Sequence, residues 1–138
     1  MSVIEKDLNE DVYIGVALPL GHNLQGFFER TKSSLEQAKH NIKNLLLTRK
    51  GERLGNPNFG SDLFAVLFEQ EGDDLETKVE ETIRSAMSEF LPFINIVSIQ
   101  TIFSPNDKNT INVSMRFSLN IDSTTIDVTS ISIDVSNY

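Results

Sequence analysis

A chain of 138 residues with 39% hydrophobic content carries enough apolar material for one compact core and too little for two. It has no cysteine, which excludes disulfides, thiolate metal sites and thiol nucleophiles. The net charge of −8 is lopsided: residues 1–53 hold eight Lys/Arg against seven Asp/Glu, and residues 54–138 hold four against thirteen, a second half that repels a phosphate backbone.

The opening MSVIEKDLNEDVYIG is acidic where an export signal needs a basic end and an apolar run. No apolar stretch approaches the ~20 residues that span a bilayer. The expectation is a soluble chain with no membrane and no nucleic-acid partner. Residues 1–28 mix charge with Gly15, Pro19, Gly21, Gly26 and short apolar runs, which predicts an extended arm or edge strand anchored by Phe27 and Phe28. Residues 29–138 form the domain.

Over residues 31–48 the apolar positions Leu35, Ala38, Ile42, Leu45 and Leu46 recur at helical spacing. His22 and His40 are far apart in sequence and lack a ligand pattern, so both read as surface or capping histidines. Residues 48–60 contain Gly51, Gly55, Pro57 and Gly60 with no apolar period, which marks a long structured loop. Ser61 and Asp62 then cap a short apolar helix containing Leu63, Phe64, Val66, Leu67 and Phe68, ended by Gly72. Asp73 with Glu76 has the spacing of a capping box for a second long helix, whose stripe is Leu75, Val79, Ile83, Ala86, Met87 and Phe90. Pro92 stops it.

Beyond Pro92 the period becomes two. A strand at about 94–103, a turn at 104–107 and a strand at 109–121 are predicted, the last from the alternation of Ile111, Val113, Met115, Phe117, Leu119 and Ile121. The final strand, 124–136, changes phase between Val128 and Ile131, and a β-bulge near Thr129 and Ser130 would restore one buried face. The fold class is therefore α+β: two long helices and a short one on a three-stranded antiparallel sheet, with an extended N-terminal arm.

Little here supports catalysis or a cofactor. The acidic cluster Glu69, Glu71, Asp73 and Asp74 is explained by solvation and helix-start electrostatics rather than by a glycosidase pair. Its spacing does not match a calcium loop, and Gly51, Gly55 and Gly60 do not match a phosphate-binding fingerprint. The remaining feature is the loop, where Arg49, Lys50 and Arg53 stand on a turn before Pro57 and Phe59. A helix C-terminus accounts for the first two charges but not for the loop's length.

The run Leu46-Leu47-Thr48-Arg49-Lys50-Gly51-Glu52-Arg53, followed by Asn56-Pro57-Asn58-Phe59-Gly60-Ser61-Asp62-Leu63 and Leu67-Phe68-Glu69, resembles the small baseplate wedge proteins of contractile-tailed phages, a lysozyme-like wedge family. The order of elements matches over residues 30–136. The resemblance implies a virion structural subunit, assembled in the host cytoplasm, whose partners are other baseplate wedge proteins, the tail sheath protein and tube-proximal proteins. It implies docking through Arg49, Lys50, Arg53, Pro57 and Phe59, and relatives also serve in type VI secretion baseplates. The family often carries Glu-Pro-Arg after the second long helix, where this chain has Leu91, Pro92 and Phe93. Either the contact here is apolar, or Leu91 and Phe93 belong to the core.

By the same resemblance the sheet would accept strands from the first sheath ring. The terminal strand has no Lys, Arg or Pro to blunt its edge, and its outward positions read as mostly Ser, Thr and Asp; Thr125 and Ser132 are places where Pro should block pairing. The alternatives are a peptidoglycan-cleaving muramidase, suggested by the family label, and a free cytosolic adaptor.

Overall fold

The computed structural model describes residues 5, 7–9, 11, 13–17, 30–31, 33–69, 74–103 and 110–134. Residues 104–107, Phe27, Phe28, His22, Glu71, Gly72 and Asp73 lie outside the described residues, and with them the expected turn, the arm's anchors and the capping box.

Two short strands, β1 (Gly15–Val16) and β2 (Arg30–Thr31), pair antiparallel. Helix α1 (Ser34–Leu47) begins three residues later than the apolar spacing alone suggests, because Thr31 is engaged with Gly15. Its N-cap is Ser33, whose hydroxyl accepts the Glu36 amide at 3.2 Å, one of the orphan donors of a helix start. Asp7 adds a second partner there, its Oδ1 accepting the Ser34 amide at 2.8 Å and the Ser34 hydroxyl at 2.9 Å.

Helix α2 (Leu63–Glu69) and helix α3 (Leu75–Phe90) follow. Asp74 occupies the N-cap of α3 without a side-chain bond to the helix amides. The predicted stripes are the buried ones: Ala38, Ile42, Leu45 and Leu46 on α1, and Val79, Ile83, Ala86 and Met87 on α3. Leu63, Phe64 and Leu67 of α2 join them, while Phe68 stands half exposed.

Strands β3 (Ile94–Phe103), β4 (Thr110–Leu119) and β5 (Asp122–Asp134) form an antiparallel sheet in the order β3-β4-β5. Ile111, Val113, Met115 and Phe117 of β4 and Ile131 and Ile133 of β5 project into one hydrophobic core with the three helices. Full burial of each such side chain contributes about 1.5–3 kcal/mol before entropy is charged against it.

The phase change in β5 resolves differently from the expected bulge at Thr129 and Ser130. The β4–β5 register runs without a break from Thr110↔Asp134 to Phe117↔Asp127, and the irregularity falls instead between Phe117 and Leu119. Thr129 therefore takes the inward position and is buried, with its Oγ1 lacking a hydrogen-bond partner, while Ile126 and Val128 remain 44% and 47% exposed. Ile121, expected on the buried face of β4, sits exposed in the turn. The physical cause is local. Asp122 draws the first residues of β5 into an Asx-type bend, its Oδ1 accepting the amides of Thr124 at 3.0 Å and Thr125 at 3.3 Å, so residues 123–126 of the strand fall in the register shift with no paired position on β4.

Candidate functional site

The loop after α1 is built by its backbone. Thr48 caps the helix by returning its amide to the Asn44 carbonyl at 3.2 Å. Gly51, at φ 88°, turns the chain and donates its amide to the Pro57 carbonyl at 2.7 Å. The Glu52 carboxylate accepts the Arg49 amide at 3.0 Å, and the Ser61 amide returns to the Thr48 carbonyl at 2.9 Å. Gly60, at φ 131°, makes that return possible. A Cβ there would lie 2.6 Å from the Thr48 oxygen. The buried Ser61 hydroxyl closes the loop by donating to the Leu46 carbonyl at 2.8 Å.

On this frame each of the three cations has a partner in its own chain. The Arg49 guanidinium lies 4.7 Å from the Phe64 ring centre and that of Arg53 4.1 Å from Phe59. Phe59 meets Phe90 edge-on at 5.2 Å. The Lys50 ammonium bonds Asp62 at 2.7 Å. That hydrogen bond raises the Lys50 pKa, against a smaller opposing effect of desolvation and with added attraction from Asp62 and Glu89. Stacked on rings, the guanidiniums are held in place at about 0.5–1 kcal/mol each; Arg53 stays exposed, whereas Arg49 is half-buried with its Nη2 shielded from solvent. Asp62, expected to cap α2 with its side chain, sends its carboxylate to Lys50 instead. Pro57 is exposed at the loop's tip.

The contact between Phe59 and Phe90 carries the loop to the end of α3, and the next residues are Leu91, Pro92 and Phe93. The structure separates them. Leu91 is 8% exposed and part of the core, with its amide on the Met87 carbonyl, whereas Phe93 is 43% exposed and Pro92 lies on the surface. The Phe93 carbonyl accepts the Asn120 amide at 2.9 Å, tying this turn to the β4–β5 connection.

The second surface is the edge of β5. Ser132 is exposed and opposite Asn112 in the ladder. Thr125 lies at the irregular start of β5 with its amide taken by Asp122 and no paired position on β4, so it is not a regular ladder position as the sequence suggested. The Asp122 pKa falls to about 2, chiefly through the Thr124 and Thr125 hydroxyls, then the Thr124 amide. Asp127 accepts the Val128 amide at 2.7 Å through Oδ1 and pairs with Lys39 of α1 at 2.7 Å through Oδ2. Desolvation raises its pKa, but Lys39 and the Val128 amide outweigh that and the net shift is downward.

The sequence reading missed Phe64, Phe90, Lys39, Asp122 and Asp127 as parts of these surfaces. Asp122-Ser123-Thr124-Thr125 was a legible Asx-turn signal, whereas the ring contacts and the Lys39–Asp127 pair join residues too distant in sequence for any local signal. Among the described residues no group of three or more His, Cys, Asp or Glu is placed to hold a metal, and no helix is long and apolar enough to cross a membrane.

Set beside known proteins, residues 32–124 match the family described as baseplate wedge protein gp25. The chain is 34% identical over 85 residues to the baseplate wedge protein gp25 of Enterobacteria phage T4, a stretch that is 62% of this chain and 64% of that relative. The match thus spans less than two thirds of the relative's length. Among solved structures, a chain described as a candidate tail lysozyme from Geobacter sulfurreducens aligns over 77% of this chain and 96% of its own, with a TM-score of 0.65 at 19% identity. A chain of the baseplate complex of the type VI secretion system aligns over 74% and 93%, with a TM-score of 0.60 at 15% identity. At such identities these two likenesses show the fold.

Proposed function

Because this chain belongs to the family of baseplate wedge protein gp25, we propose that it is a structural subunit of a contractile-tail baseplate, docking wedge partners through its loop and accepting a sheath strand on its sheet. The observation that carries the reading is the position of β5, among the described residues, at the edge of the sheet, with no Lys, Arg or Pro along it. An edge strand offers a row of backbone donors and acceptors, and a soluble protein ordinarily protects such a row. Strand addition there would supply main-chain hydrogen bonds, with the alternating side chains fixing register.

The docking half of the proposal rests on the loop. Arg49, Lys50 and Arg53 are held on rings or a carboxylate rather than waving in solvent, so a partner meets them at low entropic cost. Exposed Pro57 and Phe93 and half-buried Phe59 extend the same region with apolar surface. A wedge neighbour with acidic or carbonyl-rich surface fits it. Glycoside cleavage needs one carboxyl held protonated; among the described residues Asp122 and Asp127 both have their pKa lowered, which suits neither to that task.

Ser132→Pro tests the strand-accepting role. Proline removes the amide at an exposed ladder position without touching the inward side chains. The variant should fold, enter baseplates, and fail to nucleate sheath on them, scored by electron microscopy of assembled particles. Sheath of normal length on Ser132→Pro baseplates would refute the role.

A further inference from the structure

Building on that strand-accepting reading, we propose that the acceptor edge of β5 begins at Thr129, closed on its hairpin side by Asp122 and Asp127, and that its guest is a basic extended segment. Three successive features close the hairpin side. The Thr124 and Thr125 amides are held by Asp122 Oδ1, and the Val128 amide is held by Asp127 Oδ1 at 2.7 Å. Bonds from amides to ionised carboxylates are stronger than those to a guest carbonyl, so a guest gains nothing by displacing them. Lys39 acts as a positioning residue, gripping the other oxygen of Asp127 at 2.7 Å and fixing the stop against α1.

Beyond Asp127 the edge opens. In an antiparallel ladder the amides of alternate residues point to the same side. The Val128 amide is turned toward a side chain of its own strand, so those of Ser130 and Ser132 share its direction, and no carboxylate from within residues 129–133 stands over them. The opposite edge differs in charge: β3 bulges between Ile96 and Ser98, and its regular stretch from Ser98 to Phe103 carries no carboxylate to attract a basic guest.

Charge selects the guest. Strand β5 carries Asp122, Asp134 and, already paired with Lys39, Asp127, and neither Lys nor Arg, within a half-chain of four basic and thirteen acidic residues. A second copy of β5 laid along the first would set acid against acid, which disfavours self-pairing. A guest bearing Lys or Arg at its ends gains where an acidic guest loses. Val128, half exposed on the outer face, adds an apolar neighbour for a β-branched guest residue.

The test is amide exchange by NMR on the intact protein with two acetylated, amidated hexapeptide probes, Lys-Val-Thr-Val-Thr-Lys and Glu-Val-Thr-Val-Thr-Glu. The basic probe should slow exchange at Ser130 and Ser132 while leaving Thr124, Thr125 and Val128 unchanged, and the acidic probe should bind about tenfold more weakly. Asp127→Ala should extend protection to Val128. Asp127→Asn, which keeps the acceptor oxygen, should retain the boundary and lose part of the preference for the basic probe; circular dichroism confirms that both variants are folded. Equal binding of the two probes, protection at Thr124 or Thr125 in the unsubstituted protein, or an unmoved boundary in Asp127→Ala would overturn this proposal alone. Failure of both probes to protect any amide of β5 would instead overturn strand acceptance itself.

Discussion

Gly60 shows how much of the loop depends on single atoms. Its φ of 131° lies where side chains are strained, and a Cβ would come within 2.6 Å of the Thr48 oxygen and 2.9 Å of the Arg49 carbonyl carbon, both backbone atoms that cannot swing aside. Gly60→Ala should therefore cost about 1–3 kcal/mol in urea unfolding, and it should loosen the frame that holds Arg49 and Lys50. Gly55, with nothing near its missing Cβ, is the internal control and should tolerate Ala. Thr129 makes the opposite case. Its hydroxyl is buried with no hydrogen-bond partner, so Thr129→Val, which keeps the shape and removes the stranded oxygen, should stabilise the fold by about 1 kcal/mol. A lower midpoint of thermal unfolding for Thr129→Val would mean that the hydroxyl has a role the geometry does not reveal.

At the scale of elements, the helices and strands were legible where period and burial agree. The stripes of α1 and α3 and the alternation of β4 occupy the core as their spacing implied. Strand β5 was misread because a break in apolar alternation has two physical solutions, an extra residue or an outward-facing Val128, and only the Asp122 turn decides between them. The same turn separates two prolines that sequence treated alike. Ser132→Pro should abolish sheath nucleation, whereas Thr125→Pro, placed outside the ladder on an amide already given to Asp122, should leave it near normal on the same particles. In the loop the length and turn chemistry were visible, but the seats of the cations on Phe64, Phe59 and Asp62 were not. Those contacts depend on how α2 and α3 return to the end of α1.

Over the whole molecule, the helices cover one face of the sheet and leave the edges as the places where backbone pairing can continue into another chain. Three devices limit that continuation: the bulge at Val97 on β3, and Asp122 and Asp127 on β5. On the proposed reading, what is left is a short acceptor on an acidic strand, on a chain of the gp25 wedge family whose loop would offer a separate surface to a neighbour. The most direct measurement is the structure of the assembled baseplate containing this chain, determined by electron cryomicroscopy. The account predicts an extended segment of another subunit hydrogen-bonded along residues 129–134 of β5. A β5 edge facing solvent in the complete assembly would contradict it.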